Sequence, residues 1–399
     1  MILFAFFLLW LVGLRYKYSS VEFIALLIFF VYGFSLELDY YIFGLEMIEI
    51  SGLNKLSFSS GTYFEIRILY LSFMIGYVAV ILSGGKQKII NVESSNKFIH
   101  KILLVIWSII LLYLSMKLFG LNRLEKIRFI SSVKYLHYFS SIGMIYSVGI
   151  LWTYCKYGRI AGLEKLLLLS VVIYGLMDGG RELFVYVLLG IIPFLRTNKR
   201  IIPVLIITIS IVFMLALWKP FTAALAAGLT FNQMSEAITS SGYFSITALD
   251  PKPSLLLISN YLEGNNMFDD MAGSYFINML GQIGSAVGLI DYTSLARTIM
   301  LSVNNSAAKE GAGLAFSGIL ESLLNFWIFG PFILGVILAV LIRLSRSYMN
   351  VNMIYVYLAL FALKLVRTEL MVVFKLYGVP ILICATLFMM KRRKKNAIL

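Results

Sequence analysis

The chain has 399 residues, 60% hydrophobic and 14% charged, where a soluble domain carries nearer a quarter charged residues. Apolar runs near the ~20 residues needed to cross a bilayer recur along its length, which excludes a soluble globular protein. The net charge of +14 does not imply a nucleic-acid partner, because the charges are sorted along the chain. Segments 15–19, 83–101, 156–165, 196–200, 343–350 and 391–399 hold 19 of the 34 lysines and arginines. With Glu22, Glu93 and Glu164 they place +16 on one side of a membrane against −2 on the other, the positive-inside pattern.

The first apolar run, 1–14, has no basic leader and no small-residue cleavage site, and reads as a retained span. Spans follow at 21–41 and 62–82, with Glu37, Asp39, Glu46 and Glu49 around the outer end of the second span. Glu65 and Arg67 lie near the outer end of the third. After the span at 102–119, the loop KLFGLNRLEKIRFISSVKY breaks the charge rule. It holds Lys117, Arg123, Lys126, Arg128 and Lys134 against Glu125 alone, on what alternation makes the outer side. It is either a solvated amphipathic helix or a surface for anionic lipid or ligand phosphates.

Spans five to eight are expected at 135–155, 166–177, 183–195 and 201–218. His137, beside Tyr135 and Tyr138, reads as a packed residue of an aromatic belt. Cys155 and Cys384 lie in apolar runs with no CxxC pair, so free thiols and no zinc site are expected. Residues 219–312 form a large outer insert. Within it, Met271–Ile290 is long enough to cross. Crossing would turn Arg343, Arg346 and Lys391–Lys395 outward, at about 1 kcal/mol per charge, so it reads as interfacial or re-entrant. Gly273, Gly281, Gly284 and Gly288 would permit close helix packing there. Spans at 316–342, 351–366 and 371–390 complete an all-α polytopic membrane domain, 1–399, of about eleven transmembrane helices.

Charge in a bilayer is costly and marks function. Four places near the outer face carry it. Asp178-Gly179-Gly180-Arg181-Glu182 is a tight turn between two short spans, and its guanidinium suits a phosphate. Arg297 lies on a short outer helix. Glu321 and Asn325, four residues apart, share a helical face. Arg367 and Glu369 end span ten. Arginines can hold a diphosphate and stabilise it as it leaves, and a carboxylate can take a proton from an attacking hydroxyl. Tyr243, Phe244, Tyr261 and Tyr275 can stack on sugars or anchor the insert at the interface. Each feature also has a purely structural reading: a hairpin turn with a local ion pair, or a helix–helix hydrogen bond.

The run Gly311–Gly335 resembles the late block of Wzy-type O-antigen polymerases. The matching residues are Gly311, Gly313, Glu321, Asn325, Phe326, Gly330 and Gly335, with Trp327 where that family has glycine. Gly180-Arg181 and Arg367 match the family's mid-chain and late arginines, and the outer insert before the last three spans fits as well. The resemblance implies a GT-C-like glycosyltransferase of the bacterial inner membrane, working at the periplasmic face. Donor and acceptor would be undecaprenyl-diphosphate-linked oligosaccharides. It assigns Arg181, Arg297 and Arg367 to the diphosphate. Glu321 takes the acid/base or positioning role, with Asp178 and Glu182 as further catalytic candidates, and Asn325 and Tyr275 position substrate. No metal or other cofactor is required, since cationic side chains can replace a metal at the diphosphate. Membrane lipids and a chain-length regulator are the implied partners. An O-antigen ligase and a lipid-linked oligosaccharide flippase are the alternatives, though no inverted repeat of the kind common in transporters is visible.

Overall fold

Ser20 and Ser60 start two long apolar helices. The Ser20 side chain caps α2 (Val21–Phe43) by accepting from the Phe23 amide at 3.2 Å. The Ser60 hydroxyl accepts from the Tyr63 amide at 3.1 Å in the first turn of α3 (Gly61–Ser83). Such caps satisfy amides that a helix start leaves orphaned. α1 (Ile2–Tyr16) precedes this pair. A short antiparallel hairpin joins it, β1 (Met47–Ile48) against β2 (Leu56–Ser57). The structure is a computed structural model. It describes residues 1–16, 20–50, 52–83, 97–121, 123–157, 161–178, 251–271, 294–305, 316–348, 354–366 and 370–373, with isolated positions between.

The described chain is mostly helical, and four stretches are long and apolar enough to cross a membrane: Val21–Phe43, Gly61–Ser83, Lys101–Leu118 and Gly318–Leu344. The spans expected at 183–195 and 201–218, and most of 371–390, lie outside the described residues. The remaining helices, in order, are α4 (Lys97–Leu118), α5 (Arg123–Ser132), α6 (Lys134–Tyr157), α7 (Gly162–Asp178), α8 (Pro251–Leu262), α9 (Leu295–Val303), α10 (Gly318–Phe326), α11 (Gly330–Tyr348), α12 (Ile354–Leu365) and α13 (Leu370–Val373).

The chain divides into two compact units. The first comprises 1–87, 245–344 and 358–378. In it, α1, α2 and α3 pack on one another, with the Phe29 and Phe73 rings stacked at 3.7 Å. Two tyrosine hydroxyls bond main-chain carbonyls, whereas that of the fully buried Tyr70 has no hydrogen-bond partner among the described residues. Tyr77 donates to Glu22 at 3.0 Å and Tyr16 to Ile81 at 2.8 Å. α8 contacts α2, α3 and α10. Seven successive α8 residues, Ser254–Asn260, are buried, so this helix is enclosed around its whole circumference, the mark of an interior helix. The second unit comprises 88–244, 345–357 and 379–399. Within it α4 packs along α6 and α7, and Ser108 and Ser115 return their hydroxyls to carbonyls one turn back, at 2.7 and 2.6 Å.

The span expected as one helix over 316–342 is interrupted. α10 ends at Phe326, a 3₁₀ turn covers Trp327–Phe329, and α11 begins at Gly330. Trp327 has φ 54° and ψ −146° and is the single non-glycine residue at positive φ among the described residues. A side chain there costs on the order of 1–3 kcal/mol. A Cβ added at Gly330 would lie 1.9 Å from the Ser322 carbonyl oxygen. Eight residues of unbroken helix would rise about 12 Å, so the chain bends sharply here. A Cβ at Gly76 would meet the Phe332 carbonyl at 2.4 Å, and one at Gly335 the Phe73 carbonyl at 2.2 Å. α3 and α11 therefore touch backbone to backbone, as small residues permit. Gly273, expected to serve helix packing, instead takes φ 72° in a turn.

The bend yields two effects of opposite sign. Trp327→Gly relieves the strained backbone, and the side chain it removes is 77% exposed. It is expected to stabilise by about 1 kcal/mol. Gly330→Ala forces two backbones apart and is expected to cost about 1–3 kcal/mol. Thermal unfolding in detergent measures both. Equal shifts in one direction would mean that the bend is absent in solution.

Candidate functional site

Glu321 lies in the first turn of α10, where Ser317 caps the helix by accepting from the Leu320 amide at 3.2 Å. Negative charge is favoured at that end of a helix. The side chain is fully buried, which calls for a hydrogen-bond partner. Glu321 Oε2 accepts the Leu370 amide at 2.6 Å, a short, charge-assisted bond. Asn325 does share the face of Glu321, but its Nδ2 donates to the Glu321 main-chain carbonyl at 2.7 Å. Its amide braces the helix and leaves that carboxylate oxygen to α13.

Two further contacts meet the same turn between α12 and α13. The Ser254 hydroxyl on α8 donates to the Val366 carbonyl at 3.4 Å. Gly318 lies so close to Leu365 that an added Cβ would be 2.9 Å from its carbonyl oxygen. The chain is thus anchored at Leu365, Val366 and Leu370, and the positions bearing Arg367 and Glu369 fall between the anchors. Arg367 and Glu369 themselves lie outside the described residues, as do Arg181, Glu182 and Tyr275. Arg297 is exposed on α9, within the first unit. Asp178 ends α7, in the second unit.

Within the second unit, the basic loop flagged in the sequence reaches that end of α7. Lys126 Nζ on α5 donates to the carbonyl of Met177, the residue before Asp178. A lysine on the last carbonyls of a helix satisfies orphan acceptors and complements the dipole. His137 is packed one turn back, its Nδ1 3.1 Å from the Tyr174 hydroxyl.

Two constellations escaped sequence reasoning. The first is an ion pair between α2 and α3, Arg67 Nη1 to Glu37 Oε2 at 3.2 Å, with both side chains largely buried. The Arg67 guanidinium also faces the rings of Tyr63, Phe64 and Phe58, at 4.9, 5.7 and 5.8 Å. The Tyr63 hydroxyl accepts the Glu37 amide at 3.0 Å and donates to the Gly33 carbonyl at 3.4 Å. A signal was present: Glu37 lies six residues before the end of α2 and Arg67 six after the start of α3. An antiparallel hairpin puts those positions at one depth. The second is a polar collar at the end of α8. Glu263 accepts from Asn54 Nδ2 at 2.6 Å, Ser259 Oγ at 3.1 Å and Thr62 Oγ1 at 3.3 Å. Asn260 Oδ1 accepts the Asn54 amide at 3.2 Å. The collar fastens α8 to the β-hairpin loop and to α3. In that loop a hydrogen bond from the Lys55 ammonium holds the Glu49 carboxyl below the usual carboxylate range.

No protein-family model, curated protein or solved structure matches the chain.

Proposed function

We propose that this protein is a membrane glycosyltransferase that polymerises undecaprenyl-diphosphate-linked oligosaccharide repeat units at the periplasmic face of a bacterial inner membrane. An acceptor hydroxyl oxygen bonds to the anomeric carbon of the donor glycan, and the bond from that carbon to the diphosphate breaks. The hydroxyl proton passes to a carboxylate, and undecaprenyl diphosphate leaves. Arg367, Arg181 and Arg297 are assigned to the diphosphate, where guanidinium groups stabilise the charge of the leaving group. The observation that carries the reading is the Glu321–Leu370 hydrogen bond. It links the E-x-x-x-N motif to the chain segment that bears Arg367, the two late features of the resemblance.

That bond also divides the roles. A buried carboxylate committed to a main-chain amide is suited to positioning, so Glu321 holds the arginine-bearing turn. Asp178 and Glu182 are then the carboxylates assigned to the proton. Four helices long and apolar enough to cross a membrane support a lipid-linked substrate.

The test is polymer synthesis in proteoliposomes from purified lipid-linked repeat units with no ion gradient. A ladder of chain lengths is expected from the unaltered protein. Arg181→Ala and Arg367→Ala are expected to abolish it while each variant still inserts and stays folded. Normal ladders from both variants would refute the assignment. Transfer only to lipid A-core would identify a ligase, and movement of unjoined units across the bilayer a flippase.

A further inference from the structure

From the end of α4 to the start of α6, Lys117, Arg123, Lys126, Arg128 and Lys134 stand against Glu125, and the glycosyl-transfer reading uses none of them. Its structure sorts them. Lys126 is turned inward to the Met177 carbonyl, which pins α5 beside the end of α7. Phe129 and Ile130 are half-buried, whereas Arg128 is exposed. α5 therefore lies against its unit with Phe129 and Ile130 partly covered and a cation, Arg128, on its exposed side. Lys117, at the end of α4, stands over the Tyr113 ring at 6.0 Å.

Large exposed side chains flank these cations. Met116, Phe119 and Tyr135, on the chain flanking α5, are 78%, 74% and 76% exposed, and Tyr113 is 44% exposed. Large apolar and aromatic side chains exposed close together mark a surface that contacts membrane or protein. Interleaved with lysine and arginine at the ends of apolar helices, they have the composition of a membrane–water interface. Charge of one sign at that level fits one partner class, lipid phosphates of the opposite sign.

We infer that α5 and its flanks form a collar that holds anionic phospholipid headgroups at the bilayer interface, next to the Asp178 end of α7. Lys126 fixes the helix, Arg128 supplies charge on its exposed side, and Phe119 and Tyr135 enter the acyl boundary. This does not depend on the transferase reading, because it follows from charge and exposure within one unit.

The test uses the full chain in vesicles, with Cys155 and Cys384 replaced by serine and a fluorophore attached through Ser132→Cys at the exposed end of α5. Quenching by brominated phosphatidylglycerol is compared with quenching by brominated phosphatidylcholine. The anionic lipid is expected to be enriched at the label, by about fivefold for each cation engaged, and 1 M salt is expected to weaken the preference. Arg123→Gln together with Arg128→Gln is expected to remove most of the preference. Lys55→Gln, in the other unit, is expected to leave it intact. Equal quenching by the two lipids overturns the proposal, and that comparison needs no folded variant. So does a preference unchanged in the double variant, or one lowered as much by Lys55→Gln. Displacement of the anionic lipid by equimolar inorganic diphosphate would reveal a soluble-phosphate site and also overturn it.

Discussion

Glu321→Ala is expected to abolish polymer formation and to cost about 2–4 kcal/mol of stability. The stability loss has two sources. The part-buried Leu370 amide loses its acceptor, worth about 1–3 kcal/mol, and the fully buried Glu321 side chain leaves a void. The functional loss follows from the turn between α12 and α13, which is then free to shift, and displacement of a positioning group by about 1 Å can cost a hundredfold in rate. Glu321→Gln separates positioning from proton transfer. Its amide oxygen can accept the same bond, weaker because no charge assists it, but it cannot take a proton. If Glu321 positions, the glutamine variant keeps a recognisable chain-length ladder with a modest loss of stability. If Glu321 is the base, glutamine and alanine are equally inactive although glutamine unfolds at nearly the unaltered temperature. Gel analysis of the glycan and thermal unfolding of the same preparations distinguish the two.

Arg67→Met is expected to cost about 3–5 kcal/mol, the penalty for leaving a buried carboxylate without its cation. Glu37 is largely buried, and the ion pair to Arg67 at 3.2 Å is its charge partner among the described residues. The methionine keeps apolar contact with Phe58, Tyr63 and Phe64, so the loss comes from charge and not from volume. Adding Glu37→Gln is expected to restore most of the stability, because the uncompensated charge goes with it. Replacing an entire buried pair is often neutral, and here Arg67 Nε already lacks an acceptor. A double-mutant cycle of thermal unfolding measures the coupling. Additive losses would mean that the pair does not stabilise the α2–α3 contact.

The long apolar helices were legible because hydropathy and capping are local. The expected spans 21–41 and 62–82 correspond to Val21–Phe43 and Gly61–Ser83, each started by a serine whose hydroxyl reaches an amide three residues on. The break at Trp327 was not legible. Hydropathy runs unbroken through 316–342, and a tryptophan where glycine was expected did not reveal which way the chain turns. Pro331 has no N–H to give the Trp327 carbonyl, a local reason for a break, but the close approach of Gly330 to the Ser322 carbonyl is a contact no periodicity encodes. The burial of α8 was hidden for a related reason. Its sequence reads as an ordinary apolar dozen, and only α2, α3 and α10 around it make it interior.

Composition and charge order pointed by themselves to a mostly helical chain with segments long and apolar enough to cross a membrane, and to the charges that stand in costly places. They do so because the bilayer acts on each segment separately, through its length and its polarity. Tertiary structure alone decided which of those charges meet. Glu37 and Arg67 are 30 residues apart and Glu321 and Leu370 are 49 apart, and a hydrogen bond depends on atomic distance, which sequence separation does not specify. The same contact puts Glu321 Oε2 2.6 Å from a main-chain amide, a partner that no local pattern in the sequence encodes.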